Sequence, residues 1–112
     1  MLTPKANFWA EVDGQVVFSD WRIALLEAID EMGSITGAAH RLDIGYKLAW
    51  ERIHEMEERL GQQLVDAQVG GVGGGGARLT PAAQDYVRRW HQFNNGLADL
   101  IRERFDVAFG PS

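Results

Sequence analysis

Gly33-Ser34-Ile35-Thr36-Gly37-Ala38-Ala39-His40-Arg41-Leu42-Asp43-Ile44-Gly45-Tyr46-Lys47-Leu48-Ala49-Trp50 holds two helix starts separated by one tight turn. Gly33 supplies a helix stop and Ser34 a helix N-cap, because a serine hydroxyl accepts from the free amides of a first turn. The short helix that follows places Ile35, Ala38, Ala39 and Leu42 on one face, and the two alanines are small enough to let another helix approach closely. Asp43-Ile44-Gly45 is too short for anything but a tight turn. A third helix then runs from about Tyr46 to Leu60 with an inward stripe of Ala49, Ile53, Met56 and Leu60. Its opposite face carries Tyr46, Lys47, Trp50 and His54, and an outward tryptophan needs a reason, since a monomer gains little by hydrating a large aromatic.

Upstream, Phe8-Trp9-Ala10-Glu11-Val12 and Gln15-Val16-Val17-Phe18 flank Asp13-Gly14, the chemistry of a two-residue hairpin turn, and read as a small accessory ribbon over 8–18. Ser19 caps a first helix whose stripe is Trp21, Leu25, Ile29 and Met32. Downstream, Gly61 stops the third helix, and residues 63–79 supply two short strands, Gln63 to Ala67 and Ala77 to Leu79, around a loop in which six of the seven residues 70–76 are glycine. Thr80-Pro81 opens a last helix over 80–109, with Thr as N-cap and Pro at the first helical position. Along it Ala83, Tyr86, Trp90, Phe93, Leu97, Leu100, Arg104 and Val107 alternate steps of three and four, a heptad seam. About 28 helical residues span roughly 40 Å, more than a core of this size covers, so the surplus seam pairs most simply with a second copy. Packing against the first helix is the alternative for part of it. Asn94-Asn95-Gly96 are poor helix formers and leave a continuous helix and a broken one both open.

The 112 residues, 46% apolar and 24% charged, suit one folded domain over 1–112. The absence of cysteine excludes disulfides and thiolate sites and points to the cytoplasm. No apolar run reaches the roughly 20 residues of a membrane span, and no signal-peptide core is present, so no membrane partner is expected. His40, His54 and His91 show no ligand pairing, so no metal and no cofactor are expected. Glu55, Glu57 and Glu58 read as a solvated helix face, with no nucleophile or oxyanion arrangement beside them, and an enzyme is not expected. Gly71-Val72-Gly73-Gly74-Gly75-Gly76 formally matches a dinucleotide fingerprint, but so glycine-rich a run matches by chance and no helix start follows it.

Three helices on tight turns, then two strands around a loop, make a mostly α fold with a small β component: a winged helix-turn-helix with an N-terminal hairpin, a three-helix core over 19–61, a wing over 63–79 and a long C-terminal dimerisation helix. In that architecture the third helix enters the major groove of double-stranded DNA. The positions that would face it are Gly45, Tyr46, Lys47, Trp50, Arg52 and His54: lysine bonds guanine edges or phosphate, tyrosine bonds phosphate, and an aromatic packs on a thymine methyl. Ser34 and Thr36 would offer a helix N-terminus to a phosphate, Arg78 a contact at the wing base, and Gly73, Gly74 and Gly75 a loop without side chains that approaches the sugar-phosphate backbone closely. A plain flexible linker is the alternative for that loop, and packing under the hairpin is the alternative for Tyr46 and Trp50.

Gly33-Ser34-Ile35-Thr36, Ala38-Ala39, Ile44-Gly45-Tyr46-Lys47-Leu48-Ala49-Trp50, Ile53, Glu55-Met56, the glycine loop and Leu79-Thr80 resemble the N-terminal DNA-binding domain of the ModE family of molybdate-responsive regulators and, more distantly, the LysR-type DNA-binding domain. The resemblance covers about residues 8–109. It implies a transcriptional regulator that binds a palindromic operator as a homodimer, with the glycine loop as wing tip and the last helix, through Tyr86, Trp90, Phe93, Leu97 and Leu100, as dimerisation arm. Family members continue into a C-terminal molybdate-binding domain. This chain ends at Ser112, so molybdate binding is not expected within it. Gly45 stands where serine is more usual in the family. A winged-helix protein-interaction module that dimerises without touching DNA is the alternative function.

The net charge of −5 favours that alternative at first sight. Within residues 36–80, however, the five bases Arg41, Lys47, Arg52, Arg59 and Arg78 face the six acids Asp43, Glu51, Glu55, Glu57, Glu58 and Asp66. That region is near neutral, and the expectation is few phosphate contacts and a shallow salt dependence.

Overall fold

The structure is a computed structural model that describes residues 1–68 and 76–110. The order is β1 (Trp9–Val12), β2 (Gln15–Ser19), α1 (Asp20–Met32), α2 (Ile35–Arg41), α3 (Tyr46–Leu60), β3 (Val65–Gln68), β4 (Gly76–Leu79), α4 (Pro81–Asn94) and α5 (Leu97–Phe109). β1 pairs antiparallel with β2, and β3 with β4, as two separate two-stranded sheets. Among the described residues no helix is long and apolar enough to cross a membrane.

The Asp13-Gly14 turn has φ of 51° and 78°, the pair of positive angles that a tight hairpin requires. The ribbon is more than an accessory. Its register shifts between Ala10 and Glu11, and Val17 and Phe18 of β2 lie buried in the core beside α1 and α3. Ser19 accepts from the Arg22 amide as the N-cap of α1, and Gly33 closes that helix at φ 72°. The buried face of α1 is Ile23, Leu25, Leu26, Ala28 and Ile29. Trp21 and Met32, the ends of the predicted stripe, are exposed, because they lie in the first and last turns of α1, beyond the buried segment from Ile23 to Ile29.

Ser34 accepts from the Gly37 amide at 2.9 Å and starts α2. The turn into α3 is a Schellman closure on a non-glycine residue: Asp43 stands at φ 55°, its amide donates to His40 O at 3.2 Å, and the Ile44 amide donates to Ala39 O at 3.0 Å. Ala38, Ala39 and Ala49 are buried and let the three helices pack closely on Ile53, Met56 and Leu64. Leu60 is only partly buried at the rim.

The C-terminal helical segment is present in two pieces. Asn95 leaves helical geometry at ψ 119° and Gly96 turns left-handed at φ 80°, so the weak Asn94-Asn95-Gly96 triplet breaks it. Thr80 caps α4 by accepting from the Ala83 amide, with Pro81 in its first turn. α4 buries Ala83 and Trp90 against the body, whereas α5 buries no residue. The molecule is elongated, 61 × 28 × 21 Å.

Candidate nucleic-acid interface

The outward face of α3 is built by the two turns that precede it. Because the inward stripe Ala49, Ile53 and Met56 is buried in the core, helical geometry presents the residues a half-turn away to solvent. Tyr46 is 52% exposed and Trp50 44%, so neither is a core residue. The Lys47 side chain is 89% exposed, with Glu51 Oε1 3.9 Å from its Nζ. His54 stacks on Trp50, with ring centroids 3.7 Å apart and planes 23° apart. Its Nδ1–H donates to the Trp50 carbonyl oxygen at 2.8 Å. Gly45 caps the helix without a side-chain hydrogen bond, leaving the first amides of α3 unmet by any side-chain cap.

Arg52 is not part of that face. It is turned toward Glu55, which it meets at 2.7 Å, and Glu55 also binds Arg22 of α1 at 3.0 Å and Arg59 at 3.4 Å. Arg59 donates to Val16 O of β2 at 2.7 Å, so one carboxylate ties the hairpin, α1 and α3 together. Burial alone would raise the Glu55 pKa, but the Arg22 hydrogen bond and the charges of Arg52, Arg22 and Arg59 outweigh it and hold the carboxyl below its ordinary value. Glu57 is likewise structural: its Oε2 accepts from the Leu64 and Val65 amides at 2.8 and 3.1 Å and fixes the start of β3. The expectation of a solvated acidic face therefore holds for the exposed Glu58 and fails for Glu55 and Glu57. The spacing of Glu55, three from Arg52 and four from Arg59, was the available signal; the Arg22 partner was not visible in any local pattern.

The two strands of the wing stand beside the helix-turn-helix. Gly33 O, at the end of α1, accepts from the Ala77 amide of β4 at 2.9 Å, and Thr80 N–H donates to Leu64 O at 2.9 Å. Arg78 pairs across the strands with Asp66; its side chain is 75% exposed and its guanidinium lies 3.9 Å from the carboxylate. Gly73, Gly74 and Gly75 lie outside the described residues. Of the predicted phosphate contacts at the start of α2, Thr36 is exposed, whereas Ser34 is half-buried and its hydroxyl oxygen accepts from the Gly37 amide.

The predicted dimerisation residues divide. Trp90 is 6% exposed, and its Nε1–H donates to Asp20 Oδ1 of α1 at 2.8 Å. Tyr86 packs on Phe18 with centroids 5.0 Å apart, and its hydroxyl donates to Gln62 Oε1 at 3.1 Å. These two belong to the body of one chain, because α1 and the hairpin offer the nearer apolar surface. Phe93 and Leu100 are exposed and Leu97 is half-buried.

Bacterial regulatory helix-turn-helix proteins of the lysR family match residues 22–84, from α1 into α4. The chain is 42% identical over 94 residues to the DNA-binding transcriptional dual regulator ModE of Escherichia coli K12, covering 83% of this chain and 34% of that one. It is 40% identical over 80 residues to the molybdenum-pterin-binding protein MopB of Rhodobacter capsulatus, covering 71% of this chain and 30% of that one. The chain thus spans about a third of the length of these relatives. Among solved structures, the DNA-binding domain of CbnR in complex with DNA superposes with a TM-score of 0.60 at 21% identity, over 78% of this chain and 98% of that one. The BenM DNA-binding domain on catB site 1 DNA gives 0.57 at 22% identity, over 82% and 97%. Those two likenesses concern the fold. With the matched segment running through all three helices of the core and both strands of the wing, the chain belongs to the bacterial regulatory helix-turn-helix proteins of the LysR family.

Proposed function

We propose that this chain is the DNA-reading part of a cytoplasmic transcriptional regulator, one that serves molybdenum metabolism and binds a near-palindromic operator as a homodimer. The observation that carries the reading is the solvent-facing row Tyr46, Lys47 and Trp50 on the third helix of a helix-turn-helix whose other face is locked into the core. A row of this kind fits a major groove, where lysine addresses guanine acceptors or phosphate and an indole packs on a thymine methyl. Thr36 and Arg78 flank it as phosphate contacts. The names of the relatives, a DNA-binding dual regulator and a molybdenum-pterin-binding protein, support the regulatory reading and its link to molybdenum. No residue of this chain is assigned to molybdate.

Dimerisation is supported by α5, in which no residue is fully buried and Leu100, Val107 and Phe109 are exposed, and by exposed Phe93 at the end of α4. In a twofold dimer the two α3 helices would enter successive major grooves about 34 Å apart. The test is selection of bound duplexes from a random pool at low salt, with and without molybdate. The expected product is a near-palindrome with half-sites one helical turn or a small multiple apart, the same in both arms. The same exposed apolar face and the −5 charge favour a second reading, a protein-interaction module; a pool with no enriched sequence, together with a stoichiometric protein complex, would replace the first reading by the second.

A further inference from the structure

An exposed indole on a helix ordinarily samples several rotamers, and a contact made by it must first order it. Trp50 is exposed, yet it is held on one side. The His54 ring lies flat against it at 3.7 Å, and that ring is fixed in turn by the hydrogen bond from its Nδ1–H to the Trp50 carbonyl oxygen at 2.8 Å. A carbonyl only accepts, so the bond also fixes which ring nitrogen carries the hydrogen. Residues at i and i+4 share a helix face, and here the second closes the side of the first that looks toward the C-terminal end of α3. Tyr46, one turn earlier, is exposed on the other side.

We infer that His54 is a positioning residue: by stacking, it sets the Trp50 indole as a fixed apolar wall that selects a thymine through its methyl group. The inference rests on the DNA-reading function proposed above and assigns a base preference within it. His54 needs no contact with DNA for this role, and its work is done through Trp50. A thymine methyl is the one apolar group that the four bases present in the major groove, and it is the group that a flat hydrocarbon surface recognises.

The probe is the duplex that wild-type protein enriches from the random pool, with each thymine of one half-site replaced in turn by deoxyuridine, which removes the methyl and nothing else. Wild-type protein is expected to lose about fourfold in affinity at one thymine, the equivalent of one methyl withdrawn from water. Trp50→Ala should be indifferent at that position. His54→Ala should reduce the loss to less than about twofold, while His54→Phe, which keeps a ring to stack, should restore it. The salt dependence of binding should be the same in all four proteins, since no charge contact is touched. If methyl removal is without effect on wild-type protein, or if its effect persists in Trp50→Ala or His54→Ala, the inference is overturned while the proposed function stands. A pool that yields no enriched duplex removes both.

Discussion

Gly37 shows how tightly single residues are constrained in the turn region. A Cβ built on it would lie 2.9 Å from Ser34 Oγ and 3.0 Å from Met32 Cβ, so the hydroxyl that caps α2 leaves no room for alanine. Gly37→Ala is expected to destabilise the fold by about 1–3 kcal/mol, as overpacking does, measured by urea unfolding. Ordinary helix propensity would predict the opposite sign. Glu55 is the second such residue. Its pKa is lowered on folding, so its stabilisation is present above the unfolded carboxylate pKa and lost as pH falls through the lower folded value. Glu55→Gln should cost about 1.5–3 kcal/mol near neutral pH, the range for hydrogen bonds to charged groups, and should flatten that acid limb of the stability–pH curve. An unchanged acid limb in the variant would assign it to other carboxylates.

At the scale of elements, the C-terminal helices separate two jobs that a single seam conflated. α4 belongs to the core through Trp90 and Tyr86, whereas α5 has Leu97, Ile101 and Phe105 half-buried and Leu100, Val107 and Phe109 exposed. For the proposed dimer, Leu100→Asp is expected to give a monomer by sedimentation velocity while leaving the thermal midpoint of the isolated protomer essentially unchanged. A parallel fall in stability would mean that α5 packs on its own chain. Much of this was legible in the sequence. Ser19, Ser34 and Thr80 announced their helices as caps, Asp13-Gly14 its turn, and Ala49, Ile53 and Met56 the buried side of α3. A heptad pattern, however, names an apolar face without naming what covers it, and Trp90 meets an aspartate 70 positions away. The Arg22–Glu55 pair joins residues 33 positions apart and is equally invisible to local spacing. The outward face of α3 was legible because burial of one stripe defines the other; the Trp50–His54 stack, a rotamer choice, was not.

For the molecule as a whole, the structure makes the charge argument quantitative. Of the five bases between residues 36 and 80, Arg52 and Arg59 are held by Glu55 and Arg41 by Glu31, while Lys47 and Arg78 are mostly exposed with acids no closer than 3.9 Å. In the proposed dimer, two loosely held cations per protomer would give about four phosphate neutralisations, and hence a slope of log affinity against log salt near −4 at the steepest. A slope of −8 or beyond would mean that residues outside this surface bind the duplex. Whether the α3 face reads DNA is decided by equilibrium binding of Lys47→Ala to the enriched duplex, beside a scrambled duplex of the same length. Loss of about tenfold on the enriched duplex, in a variant that folds as the wild type does, is the predicted result. Binding of Lys47→Ala as tight as that of the wild-type protein would contradict it.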